Sequence, residues 1–393
     1  MRNKEKIFST VSYYLAFICL GMAGASLGPT LEALAENTNT MLGNIGILFT
    51  VKSIGYIIGS LILGRRYDSV KGHPIFGTAI AGIAGLFFLI PLVSHIAALA
   101  LIMLAIGFFE GGIDIGGNTF ILWLHGKENG PVMNGLHFCF GIGSFAAPLI
   151  TAAALGMAGS MVYGYYALAL FLVPSAVLPF LLPSPKSTGT MQKPKEGTKK
   201  NSDVLLALFI AVFFILYVGL ETGIGGWIFT YAIRMEITGP TGAAILTSVF
   251  WGALTFGRLI GVPLSIKYSP RFLLFADLVI TVFAGILLVV FPVSLILLSI
   301  ATALIGLAIA TIFPSMLTYA AKHINISGRI NSIFFIGASL GGMSLPWAIG
   351  KALSFFGAQV FPVIICITAG LCFLYFLFTD QLVFHKKTVN TTG

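Results

Sequence analysis

Twelve apolar segments follow one another along this chain, and each is long enough to cross a lipid bilayer as an α-helix. A helix rises about 1.5 Å per residue, so about 20 apolar residues span a hydrocarbon core about 30 Å thick. Because the bilayer offers backbone groups no water, a segment of this kind pairs them internally by forming a helix. The predicted spans are residues 9–31, 41–63, 74–93, 96–124, 132–157, 160–182, 204–233, 242–266, 271–292, 294–320, 329–354 and 358–379.

The composition supports the same class. Hydrophobic residues make up 57% of the 393 residues and charged residues only 9%, which is far from the balance of a soluble domain. The net charge of +9 is compatible with a nucleic-acid partner, but the basic residues form short clusters between apolar segments, as orientation signals do. We therefore predict an all-α membrane protein whose partners are the lipid bilayer and a small-molecule substrate, with no nucleic acid.

The clusters of Lys and Arg also predict the orientation. Most of the 22 basic residues lie at the N-terminus, in alternate loops, in the central loop and in the tail, so the positive-inside rule places both termini in the cytoplasm. The apolar run that begins at residue 9 lacks a small-residue cleavage site and is expected to remain as the first helix. Short loops and a compact chain favour a multi-pass protein of a bacterial inner membrane, which we expect to be a monomer.

The chain divides into two halves at its one long polar segment. Residues 183–203, PSPKSTGTMQKPKEGTKKNSD, are predicted to form a flexible cytoplasmic linker between a six-helix bundle at 1–182 and a second one at 204–393. The halves resemble each other, since VMNGLHFCFGIGSF begins at Val132 and RINSIFFIGASLGG begins 197 residues later at Arg329. Repeated halves of this kind are typical of secondary transporters, whose site lies at the midplane between them.

Two carboxylates lie in the middle of the fourth span. Residues four apart share a helix face, so Glu110, Asp114 and Asn118 form one polar column. A charged side chain at the bilayer centre costs at least about 2.5–3.5 kcal/mol, so this column must face protein or water. We expect Asp114 to be functional, whereas Glu110 is equally compatible with a structural charge, and Asn118 with pairing of backbone groups.

Other intramembrane charges are candidates for ion coupling or gating. Lys52 lies halfway along the second span and is predicted to pair with Glu110 or Asp114; its ammonium would replace a coupling cation, attract an acidic substrate, or form a structural ion pair. Glu221 precedes the GIGGW segment, where weakened helix could expose carbonyls that bind sodium beside the carboxylate. Arg258 is compatible with three roles, namely a gate, a substrate contact and a structural ion pair. Asp277 and Lys267 are predicted to lie at the cytoplasmic loop edge.

Three motifs carry a family resemblance. Residues 64–74, GRRYDSVKGHP, resemble a degenerate form of the loop after the second helix of the major facilitator superfamily. The segments DIGGN and MNGLHFCFGIGSFAAP within 114–148, YVGLETGIGGWIFTYA at 217–232 and LGPTLEAL at 27–34 resemble the sodium-dependent glucose transporter branch, and more distantly the fucose permease. The resemblance implies twelve helices in two pseudo-symmetric six-helix bundles, the major facilitator fold, and transport of a sugar.

The resemblance also implies roles for individual residues. Asp114 with Asn118 occupies the place of the acidic residue and Asn of the fucose permease motif, which implies a coupling-ion or proton residue at Asp114. A sugar-contacting position falls at or near His137, and the seventh-helix motif includes Glu221 and Trp227. The fucose permease has a carboxylate in its first helix, whereas residues 21–30 contain none. This difference argues against proton coupling by that scheme.

A sugar site needs polar groups for hydroxyls and an aromatic platform for the apolar ring face. Any one aromatic residue in a membrane helix is more often a packing residue, and His137 is also compatible with packing. Asn331 aligns with Asn134 in the repeat and is a further polar candidate. The candidate platforms are Trp227, Trp251, Phe140, Phe334 and Trp347.

These observations predict a secondary active transporter that moves a hexose-type sugar by alternating access, coupled to sodium or protons. A transporter of an acidic or amphiphilic solute, such as a drug, sugar-acid or lipid exporter, is the alternative, and a lipid scramblase is a further one. An enzyme is not expected, because the sequence has no nucleophile and base at catalytic spacing and no nucleotide loop. The four cysteines lie singly in apolar segments, so no metal site is predicted and no cofactor beyond a coupling sodium ion or proton.

Overall fold

A computed structural model describes residues 3–126, 129–185, 201–324 and 328–391 of the chain. Within these residues twelve helices are long and apolar enough to cross a membrane, which confirms the predicted number. Most of the predicted linker, residues 186–200, lies outside the described residues, so the boundary between the halves stays a prediction. The helices are α1 (Asn3–Ser26), α2 (Ile47–Ser69), α3 (Gly72–Leu89), α4 (Ile96–His125), α5 (Asn129–Ala158), α6 (Met161–Leu181), α7 (Asn201–Arg234), α8 (Pro240–Lys267), α9 (Pro270–Val290), α10 (Leu295–Ala321), α11 (Gly328–Phe356) and α12 (Val360–Thr391).

Local sequence sets several of the helix ends. Helix α9 begins with Pro270, whose missing N–H costs nothing at a first helical position, and the Ser269 hydroxyl accepts a hydrogen bond from the Phe272 N–H. Ser294 caps α10 in the same way. Gly126 follows α4 with a φ of +55°, a conformation that favours glycine. These caps keep the connections between spanning helices short.

The first predicted span is interrupted. Helix α1 ends at Ser26, and Pro29 lies in a 3₁₀ turn, Gly28–Thr30, that leads into a short helix, Leu31–Asn37. Proline lacks an N–H and its ring collides with the preceding turn, so an α-helix does not continue through it. As a result α1 ends inside the bundle, with its last carbonyl groups available to other partners.

Equivalent helices pack in equivalent ways in the two halves. In the first half α1 packs on α5, α2 on α4 and α3 on α6; in the second half α7 packs on α11, α8 on α10 and α9 on α12. A Cβ placed on Gly143 would lie 1.9 Å from the Ile18 carbonyl oxygen, and one placed on Gly341 would lie 2.3 Å from that of Ile215. Both halves therefore bring backbones together at glycine, as small residues allow in membrane helices.

The closest crossing joins α2 and α4, the helices that carry the predicted charges. A Cβ on Gly59 would lie 1.8 Å from the Phe108 carbonyl oxygen, and one on Gly107 would lie 1.9 Å from that of Lys52. Because backbone lies against backbone, no side-chain rearrangement can make room for an added carbon. This crossing fixes the register in which Lys52 faces α4.

We expect Gly59→Ala to destabilise the protein markedly, by about 1–3 kcal/mol or more, because overpacking at a backbone contact must separate the two helices. The measurement is the melting temperature of the purified protein in detergent. Gly85→Ala on α3 is the matched control, because nothing lies within 4 Å of a Cβ at that position. Equal melting temperatures for the two variants would show that the α2–α4 crossing is not tight.

The halves are joined on the side of the bundle opposite the chain termini, which we call the far side. Arg234 at the end of α7 forms an ion pair with Glu32 of the short helix after α1. Lys351 of α11 donates to the Asn44 side chain at 2.7 Å, and the Thr50 hydroxyl donates to the Met343 carbonyl at 3.0 Å. The far side of the bundle is therefore closed in this structure.

Candidate functional site

The polar column on α4 is present and faces α2. Glu110 is buried, while Asp114 and Asn118 one and two turns further on are partly exposed. The Asn118 side-chain amide donates to the Asp114 carboxylate and to its backbone carbonyl, both at 2.9 Å. The spacing of four residues therefore places the three side chains on one face, as predicted.

Lys52 pairs with Glu110, one of the two partners considered from the sequence. Its ammonium lies 2.9 Å from Glu110 Oε1, and the two side chains are only 12% and 7% exposed. The angles between the ammonium and Glu110 Oε1 are not those of a hydrogen bond, so the contact is an interaction between charges. The ammonium also donates to the Ala23 carbonyl at 3.2 Å, which links α1, α2 and α4.

Asp114 has polar partners but no lysine or arginine partner among the described residues. It takes part in none of the four ion pairs of that part of the chain. The Tyr56 hydroxyl donates to its Oδ2 atom and Asn118 donates to its Oδ1 atom. Tyr56 is not among the residues predicted from sequence, although it lies four residues after Lys52 and so shares the helix face predicted to meet α4. Asp114 is thus a membrane carboxylate with capacity left for a solute or an ion.

The second half contributes one charge pair of its own. Arg258 Nη2 of α8 lies 4.0 Å from Glu221 Oε1 of α7, and the two side chains are 33% and 15% exposed. Arg258 is therefore paired within its own half, and it forms no ion pair with a carboxylate of the other half among the described residues. Tyr217, one turn before Glu221, interacts with the same two charges.

His137 lies between the two groups of charges. It is partly buried on α5 and interacts electrostatically with Asp114 of the first half and with Arg258 of the second. Its ring also makes an edge-to-face contact with Phe17, with 5.8 Å between centroids. His137 is therefore within electrostatic reach of one predicted site residue from each half.

The predicted aromatic platforms occupy different environments. Trp227 is fully buried, and its indole N–H donates to the Pro346 carbonyl at 2.8 Å, so it packs in the far-side closure and presents no face to a solute here. Phe334 is fully buried too, whereas Phe140 is partly exposed and packs near Gly24. The Asn331 side chain lies outside the described residues.

Trp251 is the platform candidate with unused hydrogen-bonding capacity. It is 9% exposed and packs edge-to-face on Phe250, with 5.1 Å between ring centroids. A Cβ on Gly225 would lie 2.5 Å from its ring. Among the described residues its buried indole N–H has no hydrogen-bond partner. One turn of α8 separates it from Thr255 and two turns separate it from Arg258.

Two expectations about the second half need correction. Helix α7 is unbroken through residues 223–227, so the GIGGW segment does not free carbonyls for a cation. Its glycines instead allow close packing, since a Cβ on Gly226 would lie 2.6 Å from the Phe49 ring. Asp277 does not lie at a loop edge: α9 begins at Pro270, so Asp277 lies two turns inside, where it accepts a hydrogen bond from the Thr311 hydroxyl. Lys267 does lie at the edge, as the last residue of α8, over the Tyr268 ring.

The described residues form twelve membrane-length helices in two halves that pack alike, and each half has an ion pair inside its helices, an architecture typical of membrane transporters. The sequence pattern described as Major Facilitator Superfamily matches residues 13–346. Because this match covers most of the chain, the protein belongs to the Major Facilitator Superfamily. The family predicted from the sequence motifs is therefore confirmed.

Several relatives share one description. The sodium-dependent glucose transporter 1 of Danio rerio is 32% identical, over 90% of this chain and 65% of its own length. The Xenopus laevis protein of the same name is 30% identical, over 87% of this chain and 75% of its own length. The Homo sapiens protein is 28% identical, over 85% of this chain and 71% of its own length. This chain thus spans 65% of the length of the Danio rerio relative.

Solved structures show the same fold. The nucleoside transporter NupG is similar with a TM-score of 0.74 and 16% identity, over 98% of this chain and 99% of that one. A bacterial homolog of the human lysosomal transporter Spinster, in an inward-facing and occupied conformation, has a TM-score of 0.77 and 13% identity, over 99% and 98% of the two chains. At these identities the similarity concerns the fold alone.

Proposed function

We propose that this protein carries a neutral hexose-type sugar across the membrane by alternating access, with Asp114 as the central solute-binding carboxylate. The observation that carries the proposal is that Asp114 lies in mid-membrane with two polar partners and no lysine or arginine partner among the described residues. A carboxylate in this position accepts hydrogen bonds from sugar hydroxyls, and such charge-assisted bonds are about twice as strong as neutral ones. The description of the relatives as glucose transporters supports the same solute class.

The neighbouring groups complement a sugar. Tyr56, Asn118 and His137 supply donors and acceptors around Asp114, and Glu221 supplies a second carboxylate from the other half. The indole N–H of Trp251 is a buried donor without a partner among the described residues, and its ring adds an apolar face. A sugar has hydroxyls on its rim and an apolar ring face, so it would use both kinds of group.

The far-side closure fits one state of an alternating-access cycle. If both termini are cytoplasmic, as the positive-inside rule predicts, the far side is the outer one, and its closure fits an inward-facing or an occluded state. Glu32–Arg234 and Lys351–Asn44 would then separate when the carrier turns outward. In this proposal the protein is a monomer of a bacterial inner membrane, and a proton or a sodium ion drives transport through Asp114.

A second candidate is a carrier of acidic solutes, and the exposure of Arg258 favours it. The guanidinium group is 33% exposed and its contact with Glu221 is long, at 4.0 Å. An anionic solute would find there a cation with donors to spare. A lipid scramblase has no comparable observation in its favour.

The test is thermal stabilisation of the purified protein by a panel of neutral hexoses, sugar acids and phospholipids, with wild type beside Asp114→Asn and Arg258→Gln. A ligand that binds the folded state raises its melting temperature. We expect a neutral hexose to stabilise the wild type and to lose this effect in Asp114→Asn. Stabilisation by a sugar acid alone, lost in Arg258→Gln, would favour the second candidate and reject the first.

A further inference from the structure

The Lys52 ammonium is in contact with oxygen atoms of the kind that bind a metal cation. Its ammonium is bound by a carboxylate oxygen, Glu110 Oε1, at 2.9 Å and by a main-chain oxygen, that of Ala23, at 3.2 Å. Carboxylate and carbonyl oxygens are the donors that hard cations such as sodium use. The contact with Glu110 lies outside hydrogen-bond geometry, so charge and not direction determines it.

The Ala23 carbonyl is available because α1 ends early. Helix α1 ends at Ser26, so Ala23 is one of its last four residues, whose carbonyl groups lack a backbone N–H partner within the helix. The Ser26 hydroxyl donates to this carbonyl at 3.0 Å, and Lys52 supplies a second donor. The C-terminal end of a helix carries partial negative charge, and such ends inside a membrane are places where transporters bind coupling cations.

The surroundings favour a positive charge beside Glu110. Glu110 is buried on α4 with its side chain 7% exposed, and a buried carboxylate without a positive partner is strongly unfavourable. Lys52 meets that requirement from α2 with a group that is covalently attached to the chain. A tethered cation cannot leave on one side of the membrane and be replaced on the other.

We propose that the Lys52 ammonium is a built-in cation in the place that a sodium ion would occupy, so that this site does not couple transport to sodium. The cation site itself is defined by Ala23, Lys52 and Glu110. The inference rests on the proposed sugar-transport function only where it predicts the ion dependence of sugar uptake. Coupling of transport to an ion gradient, if the carrier uses one, is then left to a proton at Asp114, so the carrier as a whole would not depend on sodium. The chain would differ in this respect from relatives that are described as sodium-dependent.

The test needs no sugar. Melting temperatures are measured in sodium chloride and in choline chloride at equal ionic strength for wild type, Lys52→Ala and Lys52→Ala/Glu110→Gln. Removing the ammonium leaves Glu110 and the Ala23 carbonyl free to bind sodium, so we expect a sodium-specific rise of about 2–4 °C in Lys52→Ala. Wild type and the double variant should show no such rise. Lys351→Ala, which removes a lysine of the far side, is the matched control and should behave like wild type.

Two results would overturn the inference. One is a sodium-specific rise in wild type, and the other is its absence in Lys52→Ala, which would leave Lys52–Glu110 as a structural ion pair. If Lys52→Ala does not fold, binding of radioactive sodium to wild type decides, because saturable binding contradicts a site already filled by lysine. Failure to find a sugar that binds would concern the proposed function and leave these results unchanged. If sugar uptake is found, it should be equal in sodium and in choline.

Discussion

Replacement of Asp114 by Asn is expected to weaken binding of a neutral hexose by about 10- to 100-fold. The change keeps the size of the side chain and its place beside Tyr56 and Asn118, but it removes the negative charge. A hydrogen bond to a charged group contributes about 1.5–3 kcal/mol, and each 1.4 kcal/mol is about a tenfold change in affinity. Titration calorimetry of the purified variant with the hexose that stabilises wild type measures the loss.

Asp277→Asn is the matched control for this substitution. Asp277 is also a partly buried membrane carboxylate that accepts a hydrogen bond from a hydroxyl group, that of Thr311. It lies on α9, however, away from the polar residues of α2, α4 and α5. Hexose affinity should therefore be unchanged in Asp277→Asn, and an equal loss in both variants would mean that Asp114 acts through the stability of the fold.

Replacement of Trp227 by Ala is expected to lower stability by about 3–5 kcal/mol, the usual range for a large aromatic side chain removed from a core. The ring is fully buried, and its N–H is bonded to the Pro346 carbonyl of α11. The same change should loosen the far-side closure, because Gly46 of the first half and Gly350 of the second both lie against this ring. Melting temperature and hydrogen exchange of the backbone amides of residues 42–46 measure the two effects.

Trp347→Ala provides the comparison, since Trp347 lies on the same helix as Pro346 but is 41% exposed. It should change the melting temperature little. If Trp227→Ala melted like Trp347→Ala and instead abolished hexose binding, the packing role would be rejected. The prediction from sequence that Trp227 is a sugar platform would then be favoured.

The sequence was sufficient for the features that depend on a single helix. Apolar length gave the number of spans, and a spacing of four residues gave the face shared by Glu110, Asp114 and Asn118. The Lys52–Glu110 pair involves two helices, and the sequence predicts it only as one of two alternatives, because both residues lie near mid-membrane on helices expected to be neighbours. Desolvation cost and helix geometry are local, so they can be evaluated without knowing the packing.

The features that the sequence did not provide depend on which neighbouring helix a given face meets. Tyr56 was missed because a membrane tyrosine is common, and only the α2–α4 crossing shows that it reaches Asp114. The sequence leaves three roles open for Arg258, and only the packing of α7 on α8 shows its contact with Glu221. Trp227 was grouped with Glu221 by sequence proximity, although it lies at the far side, where α7 meets α11.

The most direct measurement of the proposed function is counterflow in proteoliposomes that contain purified wild-type protein and are loaded with unlabelled hexose. A sugar carrier should accumulate external labelled hexose transiently, saturably and only when the same sugar is inside, and the Asp114→Asn variant should lose most of this signal. A fluorescent phospholipid included in the same vesicles reports lipid movement. Failure to accumulate any neutral hexose, together with movement of the lipid or counterflow of a sugar acid, would contradict the proposal that Asp114 binds a neutral sugar.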